Sequence, residues 1–335
     1  MVVVYHPEYA THIQYRYHPE APFRMEYIIK KIMSLGIRQH ILEPEPASEK
    51  DILEVHSSKY VDKIRASTMK YLDGETIIRE GTYDVARLAA GGALTAMEES
   101  YHGNTPSFAI VRPPGHHAGP DYGGGFCYFN NTAIAAKKAL KRSKRVAIID
   151  IDAHHGNGTQ DIFYESDKVL YVSTHQWGIY PGTGYYTEAG KGDGEGYNVN
   201  IPLSARSGDT TYKYAFESMI MPILRQFRPD SIFVSLGVDA HYRDDMSGLE
   251  LSSKGYLELA AILQDFAEKY LRKRIIYVLE GGYNGVPLSE VVGGIIGLFE
   301  GKKAHLQYED VRDESIKGKE YVDESRNFFS QYWKL

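Results

Sequence analysis

The chain has little of what marks an exported or membrane-bound protein. Cysteine occurs once in 335 residues, at Cys127, which rules out an intramolecular disulfide framework and fits a reducing compartment. No uninterrupted apolar run reaches the roughly 18 residues of a membrane span, and the opening MVVVYHPEY has neither a charged segment nor a long apolar one. Neither export nor a membrane partner is expected, so a cytoplasmic location follows. There is no Pro/Ser-rich linker, internal repeat or low-complexity tract, so residues 1–335 are expected to form a single domain. The formal charge is −6, with 38 Lys and Arg interspersed among 44 Asp and Glu. That balance argues against direct nucleic-acid binding and is compatible with basic substrates.

What is present is chemistry placed at the ends of apolar stretches. Residues 146–158 read VAIIDIDAHHGNG. The run from Val146 to Ile149 is typical of a parallel strand buried on both faces. Alternation along an extended chain sends Asp150, Asp152 and His154 to one side and Ile151 and Ala153 to the other. Gly156 and Gly158 then let the backbone turn away at a carboxyl edge, where open α/β sheets place their ligands.

Phe108 to Val111 predicts a second strand, followed by RPPGHHAGPDYGGGFCYFNN. Its rigid Arg112–Gly115 turn sets His116 and His117 in a loop, beside the carboxylate-rich strand end of the neighbouring βα unit. Gly123 to Gly125 bring backbone close to a bound group, and Phe126, Tyr128 and Phe129 wall a narrow channel. SIFVSLGVDAHYRDDMSG repeats the theme with Asp239 just past a strand, and the glycines of EGGYN after Arg274–Leu279 place Tyr283 in a cleft. The aromatic loop around Tyr180 is the opposite wall. His6, His12 and His18 lie in turns at irregular spacing and read as loop packing or a rim.

Helices are expected from Pro22, over Asp84–Glu99 with Gly91-Gly92 against the sheet, and over Thr132–Leu140, Thr159–Tyr164, Tyr212–Phe227 and Ser252–Tyr270. Six strands with helical crossovers predict an α/β fold: a three-layer, open, mostly parallel sheet flanked by helices, with its active cleft at the carboxyl edge.

Asp152, His154 and Asp239 offer two oxygens, one nitrogen and no thiolate. That set suits catalytic Zn²⁺ with an open position, and Fe²⁺, Mn²⁺ or Co²⁺ would also accept it. Two carboxylates cancel the ion's charge, so a separate base and a second electrophile are needed. His116 and His117 supply the first and Tyr283 the second. Asp150 would stand behind one histidine and raise its basicity, while neutral Asn157 orients the other without holding it charged. The reaction implied is metal-assisted hydrolysis of an amide.

In combination, RPPGHHA, GFCYFNN, DIDAHHGNGTQ, YPGTG and LEGGYN, spread between about Tyr5 and Asn284, resemble the histone deacetylase superfamily, which includes acetylpolyamine amidohydrolases and acetoin-utilisation proteins. The resemblance implies an arginase/deacetylase-like fold, zinc on Asp152, His154 and Asp239, and Tyr283 polarising the acetyl carbonyl. It makes His117 the general base and acid and His116 mainly electrostatic, with Asp150 as the partner of His116. It also implies K⁺ or Na⁺ on Asp150, Asp152, His154 and Ser173, and an acyl-lysine channel lined by Gly125, Phe126 and Tyr180. Met246 stands where a polyamine-selective relative has a gatekeeping glutamate. Asn157 and LEGGYN match the class II-like and prokaryotic branch. Around Asp73 to Asp84 no counterpart of the rim aspartate that grips peptide backbone is visible. The expected substrates are acetylated lysine side chains, acetylpolyamines or similar small acetamides, with oligomerisation left open. Two other readings remain at this point: an arginase-type ureohydrolase with two metals, and a non-catalytic acyl-lysine-binding protein.

Overall fold

The computed structural model describes residues 1–36, 41–66, 69–302, 306–309, 312–313 and 315–335. Its strands are β1 (Val2–Val4), β2 (Ile41–Leu42), β3 (Lys70–Tyr71), β4 (Ile77–Ile78), β5 (Ser107–Ala109), β6 (Val146–Asp150), β7 (Val169–Gln176), β8 (Asn198–Leu203), β9 (Ser231–Leu236) and β10 (Ile275–Leu279). Eight of them form one sheet in the order β2-β1-β5-β10-β9-β6-β7-β8, and every neighbouring pair is parallel. β3 and β4 form a separate antiparallel hairpin. The sheet therefore exceeds the six expected strands, because an edge strand of two residues such as Ile41–Leu42 carries no apolar run to announce it.

Strands β6, β9 and β10 are buried at every position, as two-sided coverage requires. Right-handed crossovers turn strand order into layers. The steps β1 to β2, β8 to β9 and β9 to β10 run one way along the sheet, and β5 to β6 and β6 to β7 run the other, so their helices fall on opposite faces. Helix Gly285–Phe299 packs between Phe23–Ser34 and Ser253–Tyr270. In the second layer, Thr82–Gly103 packs on Asn131–Ala139, which also meets Asn157–Phe163. No helix among the described residues is long and apolar enough to cross a membrane.

Two local expectations are modified and a third holds. Gly92 does allow close approach, since a Cβ there would lie 2.5 Å from Val111 Cγ1, but Gly91 faces the Glu45 carbonyl rather than the sheet, and a Cβ there would lie 1.9 Å from that oxygen. The single helix expected over Tyr212–Phe227 is divided by a π turn at Phe216–Ile220, beside Pro222, which has no N–H to continue the ladder. His12 and His18 are buried and lie edge-on to Tyr128 and Phe126, which bears out loop packing for these two.

Sheet order also corrects the placement of β5 beside β6, because β10 and β9 lie between them. The consequence favours the site. The four strands whose carboxyl ends carry the candidate chemistry, β5, β10, β9 and β6, are consecutive in space.

Candidate active site

Strand β6 ends at Asp150, and the chain then turns, with the Ile151 N–H held by the Ser235 carbonyl at 3.0 Å. Extended alternation does not persist past Asp150, yet a turn brings Asp152 and His154 together: Asp152 Oδ1 accepts the His154 N–H at 2.9 Å. From the end of β9, Asp239 Oδ1 accepts the Ala153 N–H at 2.9 Å. His154 Nδ1 lies 3.2 Å from Asp152 Oδ1 and 3.0 Å from Asp239 Oδ2. The potential ligand atoms of Asp152, His154 and Asp239 all lie within 4.8 Å of one another and all three residues are buried.

The space around them is kept by missing side chains. A Cβ on Gly237 would sit 2.0 Å from Asp152 Oδ2, and one on Gly281 would sit 2.3 Å from Asp239 Oδ2. Gly281 instead offers its N–H to Asp152 Oδ2 at 2.8 Å. Burial opposes a charge on His154, but hydrogen bonds to Asp152 and Asp239 outweigh it and raise its pKa to about 10. The trio is a buried site built for positive charge, and its donor set and spacing fit one small divalent cation.

The loop after β5 delivers the histidine pair, with rings 4.0 Å apart. His116 Nδ1 is 3.1 Å from Asp150 Oδ2, and that same oxygen accepts the Tyr171 hydroxyl at 3.0 Å. Burial disfavours the His116 cation, but Asp152 and Asp150 overcome this and push its pKa up to about 10. His117 Nδ1 is 2.8 Å from Asn157 Oδ1, whose amide is oriented by donating from Nδ2 to the Tyr122 hydroxyl at 3.2 Å. An amide oxygen only accepts, so His117 carries its proton on Nδ1 and leaves Nε2 with a free lone pair. Burial, and then the neighbouring His116 and His154, hold the His117 pKa well below the ordinary value.

A pocket of about 220 Å³ opens over this group, lined by His117, His154, Gly125, Phe126, Tyr180, Met246, Tyr283 and the stretch Asp73–Glu75. Phe126 stands edge-on to Tyr283 at 5.7 Å, and Tyr180 edge-on to His117 at 5.0 Å. Gly125 has φ of +52°, and a Cβ there would meet His117 Cδ2 at 2.4 Å. Burial, with Asp239 next in effect, raises the Tyr283 pKa well above the ordinary value, so its hydroxyl keeps its proton. Ser173 is paired with Asp150 across β6 and β7, and its Oγ lies 2.8 Å from His175 Nδ1.

Four residues of the site were not read from the sequence. Asp73 is the first, an acid at the pocket wall in the stretch where no counterpart of the peptide-gripping rim aspartate is visible from the sequence. Its Oδ2 accepts the Gly125 N–H at 2.6 Å and its Oδ1 the Thr76 N–H at 2.7 Å, fixing it beside Glu75 at the pocket wall. Glu280 is fully buried and accepts the N–H groups of Gly115 and His116 at 2.7 and 3.1 Å. Asp244 Oδ2 accepts the N–H of Tyr283 at 2.6 Å. Arg24 donates to the carbonyls of Gly282, at 2.7 Å, and Glu280, and its guanidinium lies 5.1 Å from the centre of the Tyr283 ring. All four act on backbone or ring faces from distant segments, so no local motif marks them. A second cluster, His116, Cys127 and Glu280, also brings ligand atoms within 4.8 Å, but it shares no carboxylate with the first, as bridged metals would need.

Known proteins are similar to this chain in sequence and in fold. The histone deacetylase domain matches residues 18–298. The chain is 41% identical to a probable deacetylase of Archaeoglobus fulgidus over 99% of its own length and 98% of that protein. It is 36% identical to the histone deacetylase-like amidohydrolase of Pseudomonas aeruginosa over 83% of its own length and 76% of that protein. The crystal structure of the HDA15 HD domain superposes with a TM-score of 0.90 at 31% identity, covering 100% of this chain and 97% of that one. Fold and matched domain place the molecule among deacetylases and related amidohydrolases. The chain belongs to the histone deacetylase family.

Proposed function

We propose that this chain is a zinc-dependent amidohydrolase, a single cytoplasmic catalytic domain that removes acetyl or related short acyl groups from amines such as acetyl-lysine side chains and acetylpolyamines. The observation that carries the reading is the meeting of His117, His154 and Tyr283 around one pocket of about 220 Å³, with the Asp152, His154 and Asp239 cluster at its base. Zn²⁺ held by Asp152, His154 and Asp239, or Fe²⁺ or Co²⁺ on the same donors, would supply Lewis acidity toward water and the acyl oxygen.

The protein's own groups do the rest. His117 takes a proton from the attacking water on Nε2 and returns it to the departing amine nitrogen. His116, held charged by Asp150, adds positive potential where the acyl oxygen becomes negative, and the Tyr283 hydroxyl donates a hydrogen bond to that oxygen. Gly125, Phe126, Tyr180 and Met246 leave room for a narrow, unbranched chain. Asp73 and Glu75 at the wall favour a substrate that carries further amines. K⁺ or Na⁺ is proposed on Asp150, Asp152, His154 and Ser173; Asp150 Oδ1 accepts the Asp152 N–H at 3.2 Å and keeps lone-pair capacity for a cation.

The test is a screen of acetyl-lysine peptides, acetylpolyamines and acetylated metabolites on metal-reconstituted protein. Turnover should vanish with a chelator, return with the metal, and fall by about 10²–10³-fold in Tyr283→Phe. Undiminished turnover in that variant, or a metal-loaded protein inert on the whole panel, overturns the reading.

A further inference from the structure

Tyr283 stands on backbone with little stiffness of its own. Gly281 and Gly282 lead into it, and Gly282 has φ of +112°, a conformation that side chains rarely adopt. The ring meets Phe126 edge-on at 5.7 Å and the Arg24 guanidinium at 5.1 Å. Both contacts tolerate a small tilt, so the aim of the hydroxyl falls to the main chain.

The peptide that joins Gly282 to Tyr283 is gripped at both ends. Arg24 Nε donates to its carbonyl at 2.7 Å, and Asp244 Oδ2 accepts its N–H at 2.6 Å. A planar unit held at oxygen and nitrogen cannot swing. The same Oδ2 accepts the Asn284 N–H at 2.9 Å, and Oδ1 accepts the Met246 N–H at 3.1 Å. Asp244 is buried, so water does not compete for these three donors. Asn284 also returns a bond, from Nδ2 to the Arg243 carbonyl at 2.7 Å.

The loop that presents Asp244 is itself fixed. At its base the Tyr242 N–H bonds the Leu251 carbonyl and the Leu251 N–H bonds the Ala240 carbonyl, both at 3.0 Å, and Ser247 Oγ donates to the Asp239 carbonyl at 2.7 Å. From outside, the Tyr308 ring lies 6.1 Å from that of Tyr242, with the Arg312 guanidinium 4.5 Å from the same ring. Tyr308 and Arg312 both lie beyond the matched residues 18–298.

We propose that Asp244 is a positioning residue, which acts through Tyr283 by holding its hydroxyl at a fixed place relative to Asp239 on the same loop. In the amidohydrolase reading on which this rests, that hydroxyl meets the acyl oxygen. Asp244 is not part of the pocket wall, whereas Tyr283 and Met246 are; its two oxygens therefore tie two lining residues to one carboxylate.

The test measures steady-state kinetics and amide exchange on the metal-loaded full chain. Asp244→Ala should lower kcat by up to about 10²-fold, as a displacement of about 1 Å does, with KM little changed. In a Tyr283→Phe background the same substitution should cost less than about threefold, because the group it positions is already gone. A side chain that merely supports the fold would cost the same in both backgrounds. Asp244→Asn offers one oxygen to donors on two sides. Two N–H groups against one turn that oxygen toward Tyr283 and Asn284, so kcat should return to within about threefold of the wild type while exchange quickens at Met246. In Asp244→Ala exchange should quicken at Met246, Tyr283 and Asn284, with or without metal. Undiminished kcat in Asp244→Ala, or equal losses in the two backgrounds, overturns the proposal while wild-type turnover keeps the amidohydrolase reading. A wild type inert on every substrate sinks that reading instead, and unchanged exchange at Tyr283 and Asn284 in Asp244→Ala then refutes the clamp by itself. Should Asp244→Ala not fold, Asp244→Glu takes its place in the cycle: it keeps the charge but moves it by one methylene, and an unchanged kcat there refutes the role equally.

Discussion

His116 and His117 are adjacent in the chain, yet their surroundings pull their protons in opposite directions. His116 meets the Asp150 carboxylate at 3.1 Å and, against burial, the charge of Asp152 and then Asp150 drives its pKa up to about 10; His117 meets an amide at 2.8 Å, and burial beside His116 and His154 drives it well below the usual range. Both partners come from one short segment, Asp150 as the last residue of β6 and Asn157 as the first of the following helix. The two partners differ in kind, an ionised carboxylate against a neutral amide that leaves burial and the neighbouring cations unopposed at His117.

The largest effect expected from breaking this pair is on the neutral member. His117→Ala should lower kcat by about 10³-fold with little change in KM, as loss of a general base does, whereas His116→Ala should cost clearly less; steady-state kinetics giving the reverse ranking would exchange the roles. Asp150→Asn makes both partners neutral. It should cost about 10–100-fold in kcat/KM, and full activity would show that the charge on His116 is idle.

Asn157→Asp makes both partners ionic instead. A carboxylate favours the His117 imidazolium, so the pKa rises and base is lost on the acid side; the acid limb of the kcat/KM profile should move up by about 1 pH unit. A stationary limb would mean that His117 is not the titrating base.

The smallest effect concerns a third histidine behind the same loop. His56 Nδ1 bonds the Gly119 carbonyl at 2.8 Å and its Nε2 accepts the Asn130 N–H at 2.9 Å, and burial lowers its pKa from 6.5 to about 4. Folding favours the neutral ring, so its contribution is complete above about pH 6.5 and is lost as pH falls toward 4. Urea unfolding between about pH 7 and about pH 5.5 should show a loss of stability that is smaller by about 1 kcal/mol in His56→Gln, the remainder coming from buried histidines such as His12, His175 and His241, whose pKa values burial also lowers.

Much of the site could be read before the fold was known, for a physical reason. An apolar run that ends in Asp150, Ile151 and Asp152 has few explanations other than a buried strand opening onto a polar edge. The route was less well read than the residues: Asp152 and His154 converge through a turn, and Asp150 faces His116. Long-range pairing was not legible at all. Nothing in Ser231–Leu236 or Ile275–Leu279 states that these strands enter between β5 and β6. The same limit hid Asp73, Glu280, Asp244 and Arg24, because each is defined by a backbone amide, carbonyl or ring that a distant loop brings to it.

The strand order has a consequence for how the molecule comes to exist. β5 and β6 leave the ribosome early, but the gap between them closes only when β9 and then β10 insert, the last of these more than a hundred residues after β6. A nascent chain that stops before Ile275 already holds the histidine pair, all three acidic and imidazole donors of the candidate metal site, and most of the channel wall. It has no continuous sheet to mount them on. The last central strand therefore closes the sheet, and the loop directly after it delivers Tyr283, so frame and final side chain are added together at the end of the central sheet.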